Sequence, residues 1–524
     1  MKKLLICAFA LAGLWACTSS DSEEVKPSQA GDVYMKFSVK METTRSQTDE
    51  SGDTNSNADP DYEVGKDVEN KISSVDIVLV GTDGEIKAEG VALTAAATDT
   101  YVASFESTAL VGGQTYTVYI VANGTFVDVE NVTEVGADVT TTIAKPNYFL
   151  MTNANEAQYN VAKLPDDLTI YNTPQNPYNL GAYEVERAAA RFDYKAAKTD
   201  NIYTLCEDAD ENATVNIQLT EAALINMSKK FYDFRRVSAD GTATNAVIGG
   251  VETPNNFVVD TDHAAKAAGY TDAQAANFHN HMSTNTWSSW KSFANLEDDN
   301  WKGNAAEGET ALDGYQIWQY ASENTIPNIN AQQHGITTGI VFKGKLIATD
   351  KAPQAVQSAF SAENKEMIYV FKEVLYGTWA DVKAAAEAKN NDATVSPVNP
   401  ELAAAYNAVV AAGETVAAKA ANGFTGYAPA TDGNYYAYYY YWNRHNDNGE
   451  PYEMGKMEFA VVRNNVYKLC VENITKFGHP TPGDPNSPDP DPEDPTDPDE
   501  SENYYFTVTV KVLPWVVRIN NIEF

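Results

Sequence analysis

Basic residues and cysteines are scarce in this sequence. Of its 524 residues, 37 are Lys or Arg and 73 are Asp or Glu, which gives a formal net charge of −36. That charge argues against nucleic acid and anionic membrane surfaces as partners. Cys206 and Cys470 lie beyond the N-terminal segment and could form a disulfide or remain two buried thiols. No CxxC spacing of a zinc site is present.

Long apolar runs are also absent, except at the N-terminus, so no membrane-spanning helix is predicted elsewhere. Two lysines precede an apolar run from Leu4 to Ala16, which is the pattern of a secretion signal. The run leads into LWAC and resembles a bacterial lipobox, whose Cys is lipidated after cleavage, although Trp15 is bulkier than usual there. We predict a lipoprotein signal peptide over residues 1–16 and a lipid such as palmitate on Cys17. An ordinary signal with an incidental Cys is the alternative.

Catalytic motifs are missing too. The sequence has no GxSxG, P-loop, HExxH or Cys–His nucleophile pair. The HNH at His279 to His281 suggests a nuclease or a metal site, but histidines two apart share a face only on a strand, and the preceding AQAANF looks helical. We therefore expect surface histidines. The Asp-Pro run near the C-terminus lacks the spacing and the central Gly of a calcium loop. The sequence predicts no enzyme, no metal site and no cofactor.

Strand patterns are abundant. The segment VYMKFSVKM alternates without a slip, which predicts a half-buried strand. Its core-facing residues are Val33, Met35, Phe37, Val39 and Met41, and the outer face carries Tyr34, Lys36, Ser38 and Lys40. A polar loop follows, and then KISSVDIVLV, a turn at Asp83-Gly84 and YTVYIVANG give the rhythm of a β-sandwich with hairpins. Near VERAAARFDYKA a second region begins, with strand candidates such as TTGIVFKGKLIA and NYYAYYYYW.

Helical patterns interrupt this second region. The Ala-rich segments WADVKAAAEAKN and NPELAAAYNAVVAAGETVAAKAANG predict a helical insertion. In the longer one, Asn399 is a plausible N-cap, Pro400 occupies the first helical position and Gly423 is a stop signal. HAAKAAGYTDAQAANFHNHM is a further predicted helical stretch.

The C-terminal part combines an acidic, proline-rich run with strand-like residues. The run PGDPNSPDPDPEDPTDPDESE predicts a solvated, extended linker of up to about 60 Å at about 3 Å per residue. FTVTVKV then alternates as VYMKFSVKM does. Pro514 is expected to break the tail into two strands, because proline cannot donate to a ladder. One predicted face carries Phe506, Val508, Val510, Val512, Trp515, Val517 and Ile519.

In their order, these segments resemble the Bacteroidales fimbrillins, the type V pilus subunits of the FimA and Mfa families. The sequence looks most similar to the Mfa-type major subunit. The resemblance rests on the lipobox, an early strand ending at Arg45, YTVYIVAN, YFLMTNA, VERAAARFD, YASENTIP, GITTGIVFKG, YYYYWNRHND and MEFAVVRNNVYKLCVENITKFG. The proline-rich linker and the Ala-rich insertion are where this chain departs from the family.

The resemblance implies a mainly β fold with two transthyretin-like β-sandwich domains. It implies a lipoprotein precursor at the outer membrane, from which an Arg-specific protease removes the lipidated N-terminus with its first strand. The opened groove then accepts the C-terminal strands of the next subunit, a form of β-augmentation called donor-strand exchange. The implied partners are further copies of the chain in a head-to-tail polymer, the protease, anchor and tip fimbrial proteins, and host or bacterial surface ligands. The precursor's lipid would be the only contact with the membrane.

Arg45 is a plausible cleavage site on its own evidence. It is the only arginine before Arg187, and it follows a predicted strand at the head of a polar loop, where proteolysis concentrates. Cleavage would leave Ser46 as the new N-terminus. At about 1.5–3 kcal/mol per fully buried side chain, losing five core-facing residues forfeits roughly 7–15 kcal/mol of burial. A stray arginine in a loop is the alternative.

These expectations divide the chain into six parts. They are a signal peptide (1–16), a propeptide with the removable strand (17–45), an N-terminal β-sandwich (46–185), a C-terminal β-sandwich with the helical insertion (186–479), the acidic linker (480–502) and the donor strands (503–524). The predicted function is a structural stalk subunit of a cell-surface fimbria that serves adhesion and biofilm formation. The alternatives are a tip or accessory adhesin, binding through the region from Trp287 to Trp301, and a non-polymerising glycan-binding surface lipoprotein that keeps its lipid.

Overall fold

The computed structural model describes residues 32–41, 63–97, 99–250, 256–284, 287, 290–296, 315–326, 328–389, 397–446, 448–450, 453–482, 494–500 and 506–516. Cys17, Arg45, Ser46, Val517 and Ile519 lie outside these ranges.

In the N-terminal part, the described residues form twelve strands. They are β1 (Asp32–Met41), β2 (Glu63–Val64), β3 (Val75–Val80), β4 (Ile86–Ala97), β5 (Thr100–Glu106), β6 (Thr115–Ala122), β7 (Val132–Glu134), β8 (Ala144–Lys145), β9 (Tyr148–Phe149), β10 (Met151–Asn153), β11 (Val161–Lys163) and β12 (Tyr178–Arg187). The predicted turn at Asp83-Gly84 is confirmed, since Gly84 has a φ of 79° and joins β3 to β4.

The largest sheet closes on itself. Its strand order is β10-β12-β1-β5-β4-β3-β6-β11, and β10 pairs with β6 as well as with β12. β1 therefore lies inside a closed ring of strands, with no unpaired edge of its own. Closure of this kind removes the exposed edges that would otherwise template pairing with another chain.

Eighteen strands follow in the described part of the chain. They are β13 (Ala190–Ala196), β14 (Ile202–Glu207), β15 (Ala213–Ile225), β16 (Met227–Ser228), β17 (Lys230–Tyr232), β18 (Arg236–Ser238), β19 (Val247–Ile248), β20 (Phe257–Val258), β21 (Phe278–His279), β22 (Lys291–Ser292), β23 (Gln316–Ala321), β24 (Gly339–Ala348), β25 (Ile368–Phe371), β26 (Val374–Tyr376), β27 (Phe424–Tyr427), β28 (Tyr436–Trp442), β29 (Asn465–Ile474) and β30 (Phe506–Val516).

Two larger sheets organise these strands. One has the order β2-β30-β29-β13-β23, and the other has the order β14-β15-β24-β28 with β22 beside β15. One hydrophobic core runs from Val33 in β1 to Phe477 and includes residues of all three large sheets. The mainly β fold predicted from the sequence is confirmed, whereas the division into two transthyretin-like domains stays a prediction.

The helices are short, and none in the described ranges is long and apolar enough to cross a membrane. They are α1 (Asp67–Asn70), α2 (His263–Lys266), α3 (Gln354–Ser361), α4 (Trp379–Glu387), α5 (Pro400–Ala411) and α6 (Val416–Ala421). Helices α4 to α6 pack with β25 and β27 around a small core of their own. The predicted N-cap is confirmed, because the Asn399 side chain accepts a 3.0 Å hydrogen bond from the Leu402 amide. The stretch that begins at His263 is α-helical only as far as Lys266, Gly269 follows with a φ of 80°, and a 3-10 helix then spans Asp272–Asn277.

Buried ion pairs join segments that are far apart in the sequence. Arg191 lies between Glu69 at 3.1 Å and Asp193 at 2.8 Å, and all three side chains are fully buried. Arg463 pairs with Glu323 at 3.0 Å. Apart from Glu69, which lies in α1, these residues belong to the motifs VERAAARFD, YASENTIP and VVRNNVYKLC. Removing one partner of such a pair leaves an uncompensated buried charge and costs about 3–5 kcal/mol, so the motifs fix how the sheets meet.

Candidate functional site

β1 is paired along both of its edges. Asp32–Ser38 pairs antiparallel with β5, and Met35–Met41 pairs parallel with β12, with an irregularity between Lys36 and Phe37. Both flanking strands would have free backbone N–H and C=O groups if β1 left, and such groups require a new partner. The site is therefore a slot for one extended strand between β5 and β12.

The side chains of β1 fill the core beneath this slot. The five residues predicted to face the core are between 0% and 7% exposed. Phe37 is fully buried and stacks on Tyr101 with ring centroids 5.9 Å apart. Tyr34 was predicted on the outer face and is buried too, which is a correction to the half-buried pattern. Lys40, on the same outer face, is exposed. An occupant of this slot needs apolar residues at alternate positions.

The described arginines are poorly accessible to a protease. The sequence has eight arginines, and six lie in the described ranges. Five of these are buried: Arg187, Arg191, Arg235, Arg236 and Arg463. The sixth, Arg444, pairs with Glu458 at 2.6 Å and with Glu500 at 2.9 Å. Five of the six described arginines are thus buried, and the sixth, whose side chain is 25% exposed, is held in ion pairs.

The C-terminal strand β30 pairs within its own chain. It lies antiparallel to β29, from Asn465 opposite Pro514 to Ile474 opposite Phe506, and it meets β2 in parallel at Trp515 and Val516. This is the pairing expected if the tail is an edge strand of its own domain. Its role as a donor to another copy stays a prediction.

Pro514 does not divide the tail as predicted, because β30 continues through it to Val516. Pro514 lies opposite Asn465, the first residue of β29, and the pairing with β2 begins only at Trp515. Proline has no N–H to donate, and this is tolerated at Pro514 because β29 begins opposite it and the pairing with β2 has not yet begun.

The acidic linker is not wholly a solvated spacer. Its described residues are 480–482 and 494–500, and the second group lies against the body of the protein, where Asp499 and Glu500 are 5% and 8% exposed. The reason is that Thr337 and Arg444 bind their carboxyl groups. No signal in the proline-rich run distinguished these two acidic residues from their neighbours.

The HNH motif has a structural role. His279 contacts the Val135 carbonyl oxygen at 2.8 Å, and His281 contacts the Gly335 carbonyl oxygen at 3.1 Å. The prediction of surface histidines was wrong for His281, which is 2% exposed and stacks on a tyrosine ring. Trp287 is also buried, and its indole N–H donates to the His281 carbonyl oxygen at 3.0 Å. Trp287 therefore offers no open face for a sugar ring, and Trp301 lies outside the described residues.

The described ranges give little support for thiol or metal chemistry. No disulfide joins Cys206 and Cys470, and burial raises the pKa of both thiols to about 11. Such thiols stay protonated near neutral pH and react slowly. Within those same ranges, no group of three or more His, Cys, Asp or Glu residues is arranged to hold a metal ion.

Comparison with known proteins finds a family model that the C-terminal part of the chain resembles. Residues 433–521 match the family model "Major fimbrial subunit protein type IV, Fimbrillin, C-terminal". This match confirms the predicted resemblance to fimbrillins for that region, and it leaves open whether the Mfa type is the nearer one. No curated protein matches the chain.

Solved structures with some likeness include a fimbrilin (FimA) from Porphyromonas gingivalis, at 14% identity and a TM-score of 0.41, covering 93% of this chain and 98% of that one. The tip fimbrial protein Mfa3 from Porphyromonas gingivalis is 9% identical with a TM-score of 0.32, covering 92% of this chain and 100% of that one. Both likenesses are too distant to assign a function.

Proposed function

We propose that this chain, whose C-terminal region is that of a fimbrillin, is a structural stalk subunit of a cell-surface fimbria. In this proposal it polymerises by donor-strand exchange after proteolysis and acts in adhesion and biofilm formation. The observation that carries the proposal is β1 itself. It is paired on both edges and buried in the core, and four residues after its end the sequence offers Arg45 as a cleavage site.

Protection of the other arginines supports cleavage at Arg45. An arginine-specific protease acting on the folded precursor meets buried or ion-paired arginines throughout the described ranges. Arg45 and Arg518 are the two arginines outside those ranges. Cleavage at Arg45 separates β1 from the rest of the chain, because no disulfide joins the described strands. The lost burial, roughly 7–15 kcal/mol, then favours any strand that refills the slot.

The tail has the properties that the slot requires. β1 is 10 residues long and β30 is 11 residues long. FTVTVKV in the tail repeats the alternation of VYMKFSVKM. A strand of this pattern can place apolar residues toward the core and pair its backbone with β5 and β12. The partner that supplies it is a second copy of the chain, which gives a head-to-tail polymer.

The earlier and later steps follow from the same scheme. Lipid on Cys17 holds the precursor at the outer membrane, and cleavage by an Arg-specific protease releases the subunit from it. Anchor and tip fimbrial proteins then start and end the polymer, and the fimbrium meets host or bacterial surface ligands. The tip-adhesin alternative relies on the tryptophans from Trp287 to Trp301, and burial of Trp287 weakens it.

The test is Arg45→Ala. The variant precursor, treated with an Arg-specific protease, should remain a folded monomer, whereas the wild type should yield fibres whose N-terminal sequence begins at Ser46. Thr44→Ala is the matched control, since it changes the neighbouring residue and keeps the arginine. Fibres of normal length from Arg45→Ala, seen by electron microscopy, would refute the proposal. Mature protein that begins at Cys17 would instead favour the non-polymerising lipoprotein.

A further inference from the structure

Residues 494–500, here called the anchor segment, are bound to their own subunit just before the tail. The His334 amide donates to the Asp497 carbonyl oxygen at 3.0 Å, and the Gly335 amide donates to the Pro495 carbonyl oxygen at 2.9 Å. The Gln333 side chain donates to the Thr496 carbonyl oxygen at 3.2 Å. Gln333 also forms a β-bridge with Pro498. The main chain of the anchor segment is thus held at several successive residues.

Two acidic side chains complete the attachment. The Glu500 carboxylate, 8% exposed, accepts a 2.9 Å hydrogen bond from Arg444, whose guanidinium also binds the buried Glu458 at 2.6 Å. Charge-assisted hydrogen bonds of this kind are about twice as strong as neutral ones. The ion pair fixes the last residue of the anchor segment.

Asp499 is the more deeply placed of the two. Its Oδ2 accepts a 2.5 Å hydrogen bond from the Thr337 hydroxyl, and His334, Arg444 and Glu500 also face it. Burial raises the pKa of this carboxyl to about 7. A neutral acid is therefore the form that the docked segment favours, because an ionised carboxylate would lose its hydration.

Residues 333–337, here called the receiving strip, are themselves fixed by hydrogen bonds from the body of the protein. The Asn226 side chain donates to the carbonyl oxygens of His334 and Thr337 at 2.8 and 2.9 Å. His281 contacts the Gly335 carbonyl oxygen. A Cβ at Gly335 would lie 2.7 Å from the Pro495 carbonyl oxygen, so glycine permits the close approach of the two backbones. The strip is a built docking surface rather than a loop that the linker happens to touch.

We propose that the anchor segment fixes the base of the donor tail to its own subunit, so that only the chain after Glu500 passes to the neighbour. This inference rests on the proposed donor-strand function. Five residues, 501–505, separate Glu500 from Phe506, and a fully extended chain of five residues reaches at most about 17 Å. The neighbour's slot must then lie close to the anchor, and the junction between subunits is short and defined.

Hydrogen exchange of the full-length precursor, made without protease, tests the anchor. The His334 and Gly335 amides report on it, because both donate to the anchor segment, whereas the Ile336 amide donates to Gln333 within the strip and serves as an internal reference. Glu500→Gln should speed exchange at the two reporters about 10-fold, and adding Asp499→Ala about 100-fold, with the reference unchanged, because both changes lie in the anchor segment and leave the strip's own hydrogen bonds in place. Glu401→Gln is the matched control, since it removes the exposed ion pair with Lys372.

The same measurement on assembled fibres tests the fixed base. Protection of His334 and Gly335 should persist in the fibre. Reporters that exchange as fast in wild-type precursor as in the double variant would overturn the anchor. Reporters protected in the precursor and unprotected in the fibre would overturn the fixed base while leaving donor-strand exchange intact. If no fibre forms, the donor-strand function and the fixed base that rests on it both fail, although exchange in the precursor still reads the anchor separately.

Discussion

Phe37→Ala should destabilise the precursor and leave the mature subunit unaffected, if the mature subunit has lost β1. Phe37 is fully buried and stacks on Tyr101. Replacing a buried phenylalanine with alanine costs about 3–5 kcal/mol, because transfer free energy is lost and a cavity remains. We expect the N-terminal sheet of the precursor to be destabilised by this amount. If β1 is absent from the fibre, the same substitution should leave the stability of the fibre unchanged.

The assay is hydrogen exchange of the amides in β5 and β12, which pair with β1 in the precursor. A free energy of opening lowered by about 3–5 kcal/mol speeds exchange roughly 140- to 4,000-fold, since each 1.4 kcal/mol is tenfold. Lys40→Ala is the control, because Lys40 lies on the same strand with its side chain exposed. It should leave exchange unchanged.

Two results would refute the reasoning. If Phe37→Ala speeds hydrogen exchange in β5 and β12 of the precursor by less than about tenfold, β1 does not contribute the burial attributed to it. If fibres assembled from Phe37→Ala protein are as destabilised as the precursor, β1 remains in the mature subunit and no exchange has occurred.

Three further predictions concern the ends of the chain. A clickable palmitate analogue should label the precursor through Cys17 and be absent from fibres. Cys17→Ala should abolish the label. Fibres that carry the label would contradict removal of the N-terminus by cleavage. A chain lacking Tyr504 to Phe524 should accept the tail of another subunit but have no tail to donate, so adding it to the wild type should shorten the fibres. Fibres formed by the truncated chain alone would rule out the tail as the donor strand. The pKa of Asp499 is raised in the docked state, so docking is favoured at low pH and weakens as pH rises through about 7. After correction for intrinsic exchange, the anchor's protection should fall from pH 5 to pH 8 in the wild type and stay constant in Asp499→Asn.

The features that sequence reasoning predicted are those encoded locally. The alternation of β1 is visible in nine consecutive residues, and burial of all five core-facing side chains agrees with it. The cap at Asn399 depends on a contact three residues away. The turn at Asp83-Gly84 depends on a backbone conformation that glycine adopts readily.

The features that were missed depend on partners distant in the sequence. Asp499 and Glu500 look like other acidic residues of the linker, and only Thr337 and Arg444 make them buried ones. His281 gave no sign that its ring lies beneath the strip at Gly335. Arg191 and Glu69 form an ion pair across 122 residues of chain. Local propensity does not encode such pairs, because tertiary packing decides which polar groups meet.

In the described precursor, both strands of the proposed exchange already have partners, and this is consistent with a subunit that waits for proteolysis. β1 fills the slot between β5 and β12, and β30 lies on β29. Their pairing is unequal. β1 has a partner strand along both edges, whereas β30, among the residues that the structure describes, is paired along one edge and meets β2 on the other only at Trp515 and Val516. A tail that leaves β29 for a neighbour's empty slot would therefore gain a second full edge of backbone hydrogen bonds. While β1 stays in place, no slot is empty, and the tail would form no additional backbone hydrogen bonds by leaving β29. On this reasoning cleavage alone makes the exchange favourable, without any change in the tail itself.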